Sequence, residues 1–335
     1  DSVSLSIRPN EFVGILGPSG AGKSMLMEVM AGLQAPSGGH VLVNNQDLQR
    51  HIDSLKQSIG YVPQDDIIHR ELSVFRTLYY VAKMRLSRDV SSAEVRQIVD
   101  EVLDVTGLTE RRNVRVSELS GGQRKRVSIA VELITKPSVI FLDEPTSGLD
   151  PGAEGRIMRL FRQIAESGRT VIMTTHAMEN VKLFDKIAIL MAGKLVFYGK
   201  PDEALAFLDA ANPKDLFTQL ETSVRDSVGD KRQLSASAAD TWRAKFRSTP
   251  QFDECVQKPL AELGSMQPAV KQKKRRLGIF GSIGQWFTLS RRYFEVLLRD
   301  KLTLFILLAQ APVIALMTFF VVGPEQTRDF VYFVL

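Results

Sequence analysis

The sequence predicts an α/β domain on a mixed, largely parallel sheet, followed by a polar linker, an amphipathic helix and the start of an all-α membrane region. Three observations carry that prediction. Short apolar runs alternate with helical patterns through residues 1–212. The pattern then lapses into polar, uneven sequence over 213–276. Finally, Leu302–Val322 runs 21 residues without a charge. The 335 residues are 44% hydrophobic and 24% charged, which excludes a disordered or fibrous chain. Cys255 is the one cysteine, so no intramolecular disulfide framework or Cys-rich zinc site exists, and four scattered histidines argue against a His-only metal site. The net charge of +5 is local: residues 1–210 carry −1 and residues 211–335 carry +6. The chain starts at Asp1 and ends in an apolar run, and reads as part of a longer chain.

Val3, Leu5 and Ile7 alternate with polar residues, as in a half-buried strand, and Pro9-Asn10 turns the chain. Phe12–Leu16 is continuously apolar, the pattern of a buried strand, and a glycine-rich loop and a helix over Ser24–Leu33 follow. Further strands are predicted at 41–43, 59–62, 139–142, 171–174, 187–191 and 195–198. Val95, Ile98, Val99, Val102 and Leu103 fall at helical spacing, as do Val127, Ala130, Val131 and Ile134. Gly193-Lys194 between two apolar runs predicts an antiparallel hairpin. Residues 213–276, including the basic run Lys271–Arg276, read as a flexible linker with some helix.

Residues 277–301 contain an amphipathic helix, Ile279–Arg299. Ile283, Trp286, Phe287, Phe294, Leu297 and Leu298 share one face, and Gln285, Arg292, Glu295 and Arg299 the other. Residues 302–335 begin a membrane region whose first span is 302–322, about 31 Å long as a helix. Residues 330–335 begin a second. Lys and Arg crowd the N-terminal side of the span, which places that side in the cytoplasm. The basic run suits a solvated linker or anionic lipid better than nucleic acid, because no aromatics interleave it.

Gly17-Pro18-Ser19-Gly20-Ala21-Gly22-Lys23-Ser24 fits the P-loop pattern after an apolar strand and before a helix. Glycines let backbone N–H groups curl around phosphate oxygens, and the helix N-terminus adds positive potential. Lys23 reaches the β- and γ-phosphates, and Ser24 ligates Mg²⁺. Val139–Leu142 runs into Asp143 and Glu144. Asp143 suits Mg²⁺, and Glu144 suits a water facing the γ-phosphate. Leu119-Ser120-Gly121-Gly122-Gln123 opens another helix: Ser120 is a good N-cap and the glycines expose backbone donors.

These motifs resemble those of the ATP-binding cassette (ABC) ATPases and stand in that family's order. Gln64, in Tyr61-Val-Pro-Gln64, matches the Q-loop; Ser147-Gly148-Leu149-Asp150 matches the D-loop; His176 matches the switch histidine. The segments 60–66, 124–133 and 184–199 are similar to the G-type transporters, which place the ATPase before the membrane domain. Met25 stands where the family usually has Thr or Ser, and the signature begins with Leu and ends with Gln where many eukaryotic G-type members have Val and Glu, as a bacterial relative would. The resemblance implies a P-loop NTPase fold with a helical signature subdomain. It implies ATP and Mg²⁺ as ligands, the metal held by Ser24, Gln64 and Asp143, and catalysis by Glu144, His176 and Gln64. Residues 17–25 would bind ATP, while Ser120, Gly121, Gly122 and Gln123 would act on the ATP of a partner. Asp150 would serve the D-loop. Each motif occurs once, so the implied protein is a half-transporter that pairs head to tail with a second half in the cell membrane, its ATPase domain cytoplasmic. Importers usually carry the ATPase on a separate chain, so the fusion implies export, in this family often of lipid-like or amphipathic compounds. The alternative is a non-transporting ABC ATPase acting on nucleic acid or the ribosome.

Overall fold

A computed structural model describes residues 3–87, 89–176, 178–216, 231–262 and 279–322. Its centre is β1 (Phe12–Leu16), every residue of which is buried. Beside it lie β6 (Thr170–Thr175) and β7 (Lys186–Met191), both parallel to it. Outside β6 come β5 (Val139–Leu142) and then β4 (Ile59–Val62), again parallel. The six-stranded order is β4-β5-β6-β1-β7-β8. Among the described strands of this sheet only β8 (Lys194–Gly199) runs antiparallel, returning from β7 through Ala192-Gly193, both at positive φ. That two-residue turn matches the twist of the flanking strands. A small hairpin, β2 (Leu42–Val43) and β3 (Gln46–Asp47), stands apart from this sheet. The mixed sheet is as predicted, with boundaries displaced by one or two residues.

Helices cover the sheet because its central strands are apolar on both faces. α1 (Lys23–Met30) follows β1 directly. α2 (Ile52–Leu55) precedes β4. α3 (Val74–Arg85) and α4 (Ser92–Val105) pack on each other and on α5 (Gly121–Leu133). α4 begins with a reciprocal capping box between Ser91 and Glu94. α6 (Pro151–Glu166) buries Ile157, Phe161 and Ile164 against the sheet, Phe161 meeting Phe12. α7 (Pro201–Leu208) follows β8.

Two expectations change. Residues 3–8 form no strand: Val3, Leu5 and Ile7 pack on the core, and Tyr198 donates its hydroxyl to the Ser6 carbonyl at 2.8 Å. Alternation gave a face to bury, and among the described residues this segment buries it by side-chain packing without a backbone ladder. The described part of 213–276 is more than a flexible linker. α8 (Lys231–Arg247) lies along β8, and helical turns at Pro250–Phe252, Asp253–Gln257 and Lys258–Glu262 follow it. Its overall polarity hides Ala239, Trp242 and Phe246, which share one face and join Phe197, Phe207 and Phe252 in an aromatic cluster. The run 271–276 lies outside the described residues.

α9 (Ile279–Arg299) and α10 (Lys301–Val322) close the described chain. α9 packs on α3 with its polar side: Glu295 accepts from Arg76 Nε at 3.0 Å through both oxygens and from the Tyr80 hydroxyl at 2.6 Å, and Arg299 pairs with it at 3.0 Å. The aromatic residues Trp286, Phe287 and Phe294 face outward. α10 is long and apolar enough to cross a membrane, and its most apolar window, Lys301–Thr318, is not buried in the protein. Residues 330–335 lie outside the described residues.

Candidate nucleotide site

The loop between β1 and α1 is shaped by close packing. A Cβ on Gly17 would lie 2.4 Å from the Leu190 carbonyl oxygen, so only glycine lets the chain leave β1 there. Gly22, at φ 93°, precedes α1 without any side-chain cap. The first N–H groups of α1 therefore point into an open loop, an arrangement suited to an anion. Lys23 is buried and its ammonium donates to the Gly17 and Pro18 carbonyls at 2.9 and 3.1 Å. The same ammonium stands 4.0 Å from Glu144 Oε1.

β1, β5 and β6 all end at this loop. Ser24 Oγ donates to Asp143 Oδ1 at 3.1 Å, and Thr174 Oγ1 donates to the same oxygen at 2.6 Å. The Glu144 N–H in turn donates to Thr174 Oγ1 at 2.8 Å. Tyr61, at the end of β4, reaches Asp143 Oδ2 with its hydroxyl at 3.5 Å. Burial, with the charge of Asp143 next, pushes the Tyr61 phenol up to about 12, so it stays a donor at neutral pH. Glu144 adopts φ 41°, the left-handed region, and its carboxylate lies 3.5 Å from His176 Nδ1. His176 itself is mostly exposed.

Lys23, Ser24, Asp143, Glu144 and His176 thus converge. The hydroxyl of Ser24 and the carboxylate of Asp143 are hard oxygen donors 3.1 Å apart. That donor set fits Mg²⁺, which takes few protein ligands and keeps its waters. Other expected residues stand apart. Gln64 is exposed, and among the described residues its side chain makes no hydrogen bond to Ser24 or Asp143; its carbonyl accepts from Lys125 at 2.8 Å. Ser120 and Gln123 form a capping box at the start of α5, with Gly121 and Gly122 beside Leu149 and Ala153. Among the described residues nothing bonds Ser120–Gln123 to the P-loop. Asp150 caps α6, its Oδ1 accepting from the Ala153 N–H at 2.9 Å. Met25 is exposed.

Three participants carry no motif of their own in the sequence. Tyr61 and Thr174 look like ordinary strand residues; only the polar Thr174-Thr175 end of an apolar strand hints at a site. Lys125 reads as one of a basic trio with Arg124 and Arg126. In the fold it is buried, donates to the Pro63 and Gln64 carbonyls and pairs with Asp66 at 3.3 Å. Asp66 also accepts from Ser128 Oγ at 2.7 Å, so α5 and the segment around Gln64 are tied together.

A phosphate-binding loop on a buried central strand, with hard oxygen donors at neighbouring strand ends, defines a P-loop nucleotide-binding ATPase domain. Residues 1–147 match the ABC transporter family profile. The chain is 35% identical over 315 residues to the ABC transporter ATP-binding/permease protein Rv1747 of Mycobacterium tuberculosis, covering 94% of this chain and 34% of that protein. It is 34% identical over 261 residues to the broad substrate specificity ATP-binding cassette transporter ABCG2 of Bos taurus, covering 72% and 39%. Among solved structures it is similar to cbiO1 of Clostridium perfringens, part of the ABC transporter complex cbiONQ, with 33% identity and a TM-score of 0.57 over 61% of this chain and 82% of that one. It is also similar to the dimeric ATP-binding cassette MJ0796 bound to ADP and Pi, with 30% identity and a TM-score of 0.53 over 58% and 88%. The chain belongs to the ATP-binding cassette transporter family, on its G-type side, and carries that family's ATPase domain. It spans 34% and 39% of the lengths of these two curated relatives.

Proposed function

We propose that this chain is the ATP-hydrolysing part of a membrane half-transporter that pairs with a second half and exports a lipid-like or amphipathic substrate. The observation that carries the reading is the convergence of Lys23, Ser24, Asp143, Glu144 and His176 at one loop, in a chain that also bears the exposed apolar helix α10. Residues 17–25 wrap the phosphates through backbone N–H groups, and the Lys23 ammonium leaves its own loop carbonyls for phosphate oxygens. Ser24, Asp143 and Gln64 are the residues that would hold Mg²⁺, which would supply charge neutralisation at the phosphates. Glu144 orients the attacking water, and His176 holds the Glu144 carboxylate in place.

One loop and one lysine leave phosphate charge unmatched. Ser120, Gly121, Gly122 and Gln123 lie on an exposed helix start away from their own P-loop, which suits them to the phosphates of a partner's site. The D-loop that ends at Asp150 lies next to that surface, with Leu149 near Gly121. ATP then joins the two halves, and hydrolysis releases them. α10 supports a location in the cell membrane with the ATPase domain on the cytoplasmic side.

The test is a pair of variants of the full-length protein in lipid nanodiscs. Lys23→Ala is expected to lose ATP binding. Glu144→Gln is expected to keep binding, accumulate a closed dimer and stop turnover. Hydrolysis by Glu144→Gln at the parent's rate refutes the assigned chemistry.

A further inference from the structure

Thr174 stands in a position that packing alone does not explain. β5 and β6 pair in parallel, with Leu142 opposite Met173. The next residue on each strand, Asp143 and Thr174, therefore emerge side by side where the ladder ends. Thr174 is completely buried. A threonine hydroxyl has one proton to give and lone pairs to receive. Here the proton goes to Asp143 Oδ1 at 2.6 Å, and a lone pair takes the Glu144 N–H at 2.8 Å. One oxygen thus grips the side chain of Asp143 and the backbone of Glu144, two consecutive residues with different tasks.

Both grips matter to geometry. Asp143 Oδ1 already receives Ser24, so the Thr174 bond fixes which way the carboxylate plane faces and leaves Oδ2 toward Tyr61 and the open site. Glu144 needs more help. Its φ of 41° lies in a region that costs an ordinary residue on the order of 1 kcal/mol, and the following Pro145 disfavours compact conformations before it. The Ser147 N–H to Glu144 carbonyl bond at 3.1 Å and the Thr174 bond to the Glu144 N–H hold this turn from its two ends. That turn aims the carboxylate at Lys23 and His176.

We infer that Thr174 is a positioning residue of the hydrolytic site: its hydroxyl locks the Asp143 carboxylate and the Glu144 backbone into one geometry, so that turnover depends on it while nucleotide binding does not. The inference rests on the ATPase chemistry proposed above. Among the described residues the Thr174 hydroxyl makes no hydrogen bond to residues 17–25; its bonds go to Asp143 and Glu144, which is why affinity is spared.

The experiment compares Thr174→Val, Thr174→Ser and Thr174→Ala in the full-length protein in nanodiscs. Valine keeps the branched shape and loses the oxygen; serine keeps the oxygen and loses the branch. Thr174→Val is expected to lower kcat on the order of tenfold to a hundredfold, the range for a slightly misplaced reacting group, with ADP affinity unchanged. It is also expected to raise the Mg²⁺ concentration for half-maximal activity. Thr174→Ser is expected to recover most of the turnover. A packing role gives the opposite order, valine active and serine impaired, and overturns the inference. Should the valine variant fail to fold, serine against alanine isolates the same oxygen; equal turnover of those two overturns it as well. Lys23→Ala and Glu144→Gln run in parallel separate the two levels. If they hydrolyse normally, the parent chemistry is wrong; if they are inactive while Thr174→Val matches the parent protein, only the role of Thr174 is wrong.

Discussion

Breaking the Arg76–Glu295 pair should loosen α9 from the ATPase domain by an amount the structure sets. Glu295 is 15% exposed and Arg76 30%, so water screens the pair in part. Arg76 approaches both carboxylate oxygens, and Tyr80 adds a neutral donor. Two charge-assisted bonds at the low end of their range, about 1.5 kcal/mol each, give an upper figure near 3 kcal/mol; screening reduces it to roughly 2. Arg299, one helical turn away, adds only about 0.4 kcal/mol, because it pairs within α9 and bridges nothing. The assay is hydrogen exchange of the α9 backbone in the full-length protein, for Arg76→Met, Glu295→Gln and both together. Each single variant is expected to speed α9 exchange roughly 30-fold, which corresponds to about 2 kcal/mol of local opening. The double variant is expected to add little more. Fully additive effects, or no change in α9, refute the idea that this pair docks α9 on α3.

Three further outcomes follow from the same structure. Ser120→Arg is expected to leave ATP binding at the P-loop intact while cutting ATPase activity; parent-level activity contradicts head-to-tail pairing. Gly17→Ala puts a methyl group 2.4 Å from the Leu190 carbonyl, a backbone atom that cannot swing aside. A cost of roughly 1–3 kcal/mol in stability and a weakened nucleotide affinity are expected, read by thermal midpoint and nucleotide titration. Acid should destabilise the β2–β3 hairpin and the α9 contact. The Arg50 N–H holds the Asp47 carboxyl below its usual value against the cost of burial, and a bond with His40 helps. Glu295 is buried, which alone raises its value, but Arg76, Tyr80 and Arg299 together pull it below the usual range. Depressed carboxylates contribute fully above their unfolded values near roughly 4 and lose that contribution as pH falls through the folded ones. The denaturation midpoint should therefore fall between pH 5 and pH 3, and by less in Asp47→Asn.

What the sequence made legible and what it hid have physical causes. The buried strands were visible because a strand covered on both faces must be apolar throughout, as Phe12–Leu16 and Val139–Leu142 are. Lys23, Ser24, Asp143 and Glu144 were visible because phosphate chemistry demands those residue types next to a strand end. Residues 3–8 misled because alternation marks a face to bury, and packing can bury it without a ladder. α8 was hidden because its apolar face rests on Ala239, Trp242 and Phe246 within a polar stretch. The amphipathic pattern of α9 left its apolar face open to lipid or to protein, because periodicity marks a face and not its neighbour; in the fold Glu295 faces α3 while Trp286 and Phe287 look outward. Thr174 and Lys125 escaped because hydroxyls and ammonium groups buried by tertiary contacts carry no local signature.

The aromatic cover over β8 has a practical consequence for anyone who wants the catalytic portion alone. Stopping the polypeptide at residue 212, where the strand–helix rhythm fades, would strip Phe197 and Phe207 of Trp242 and Phe246 and deprive the buried Lys194 of Asp240. The sheet's outer margin would become greasy and prone to clumping. A soluble fragment should be cut no earlier than residue 262, so that its own wrapping travels with it.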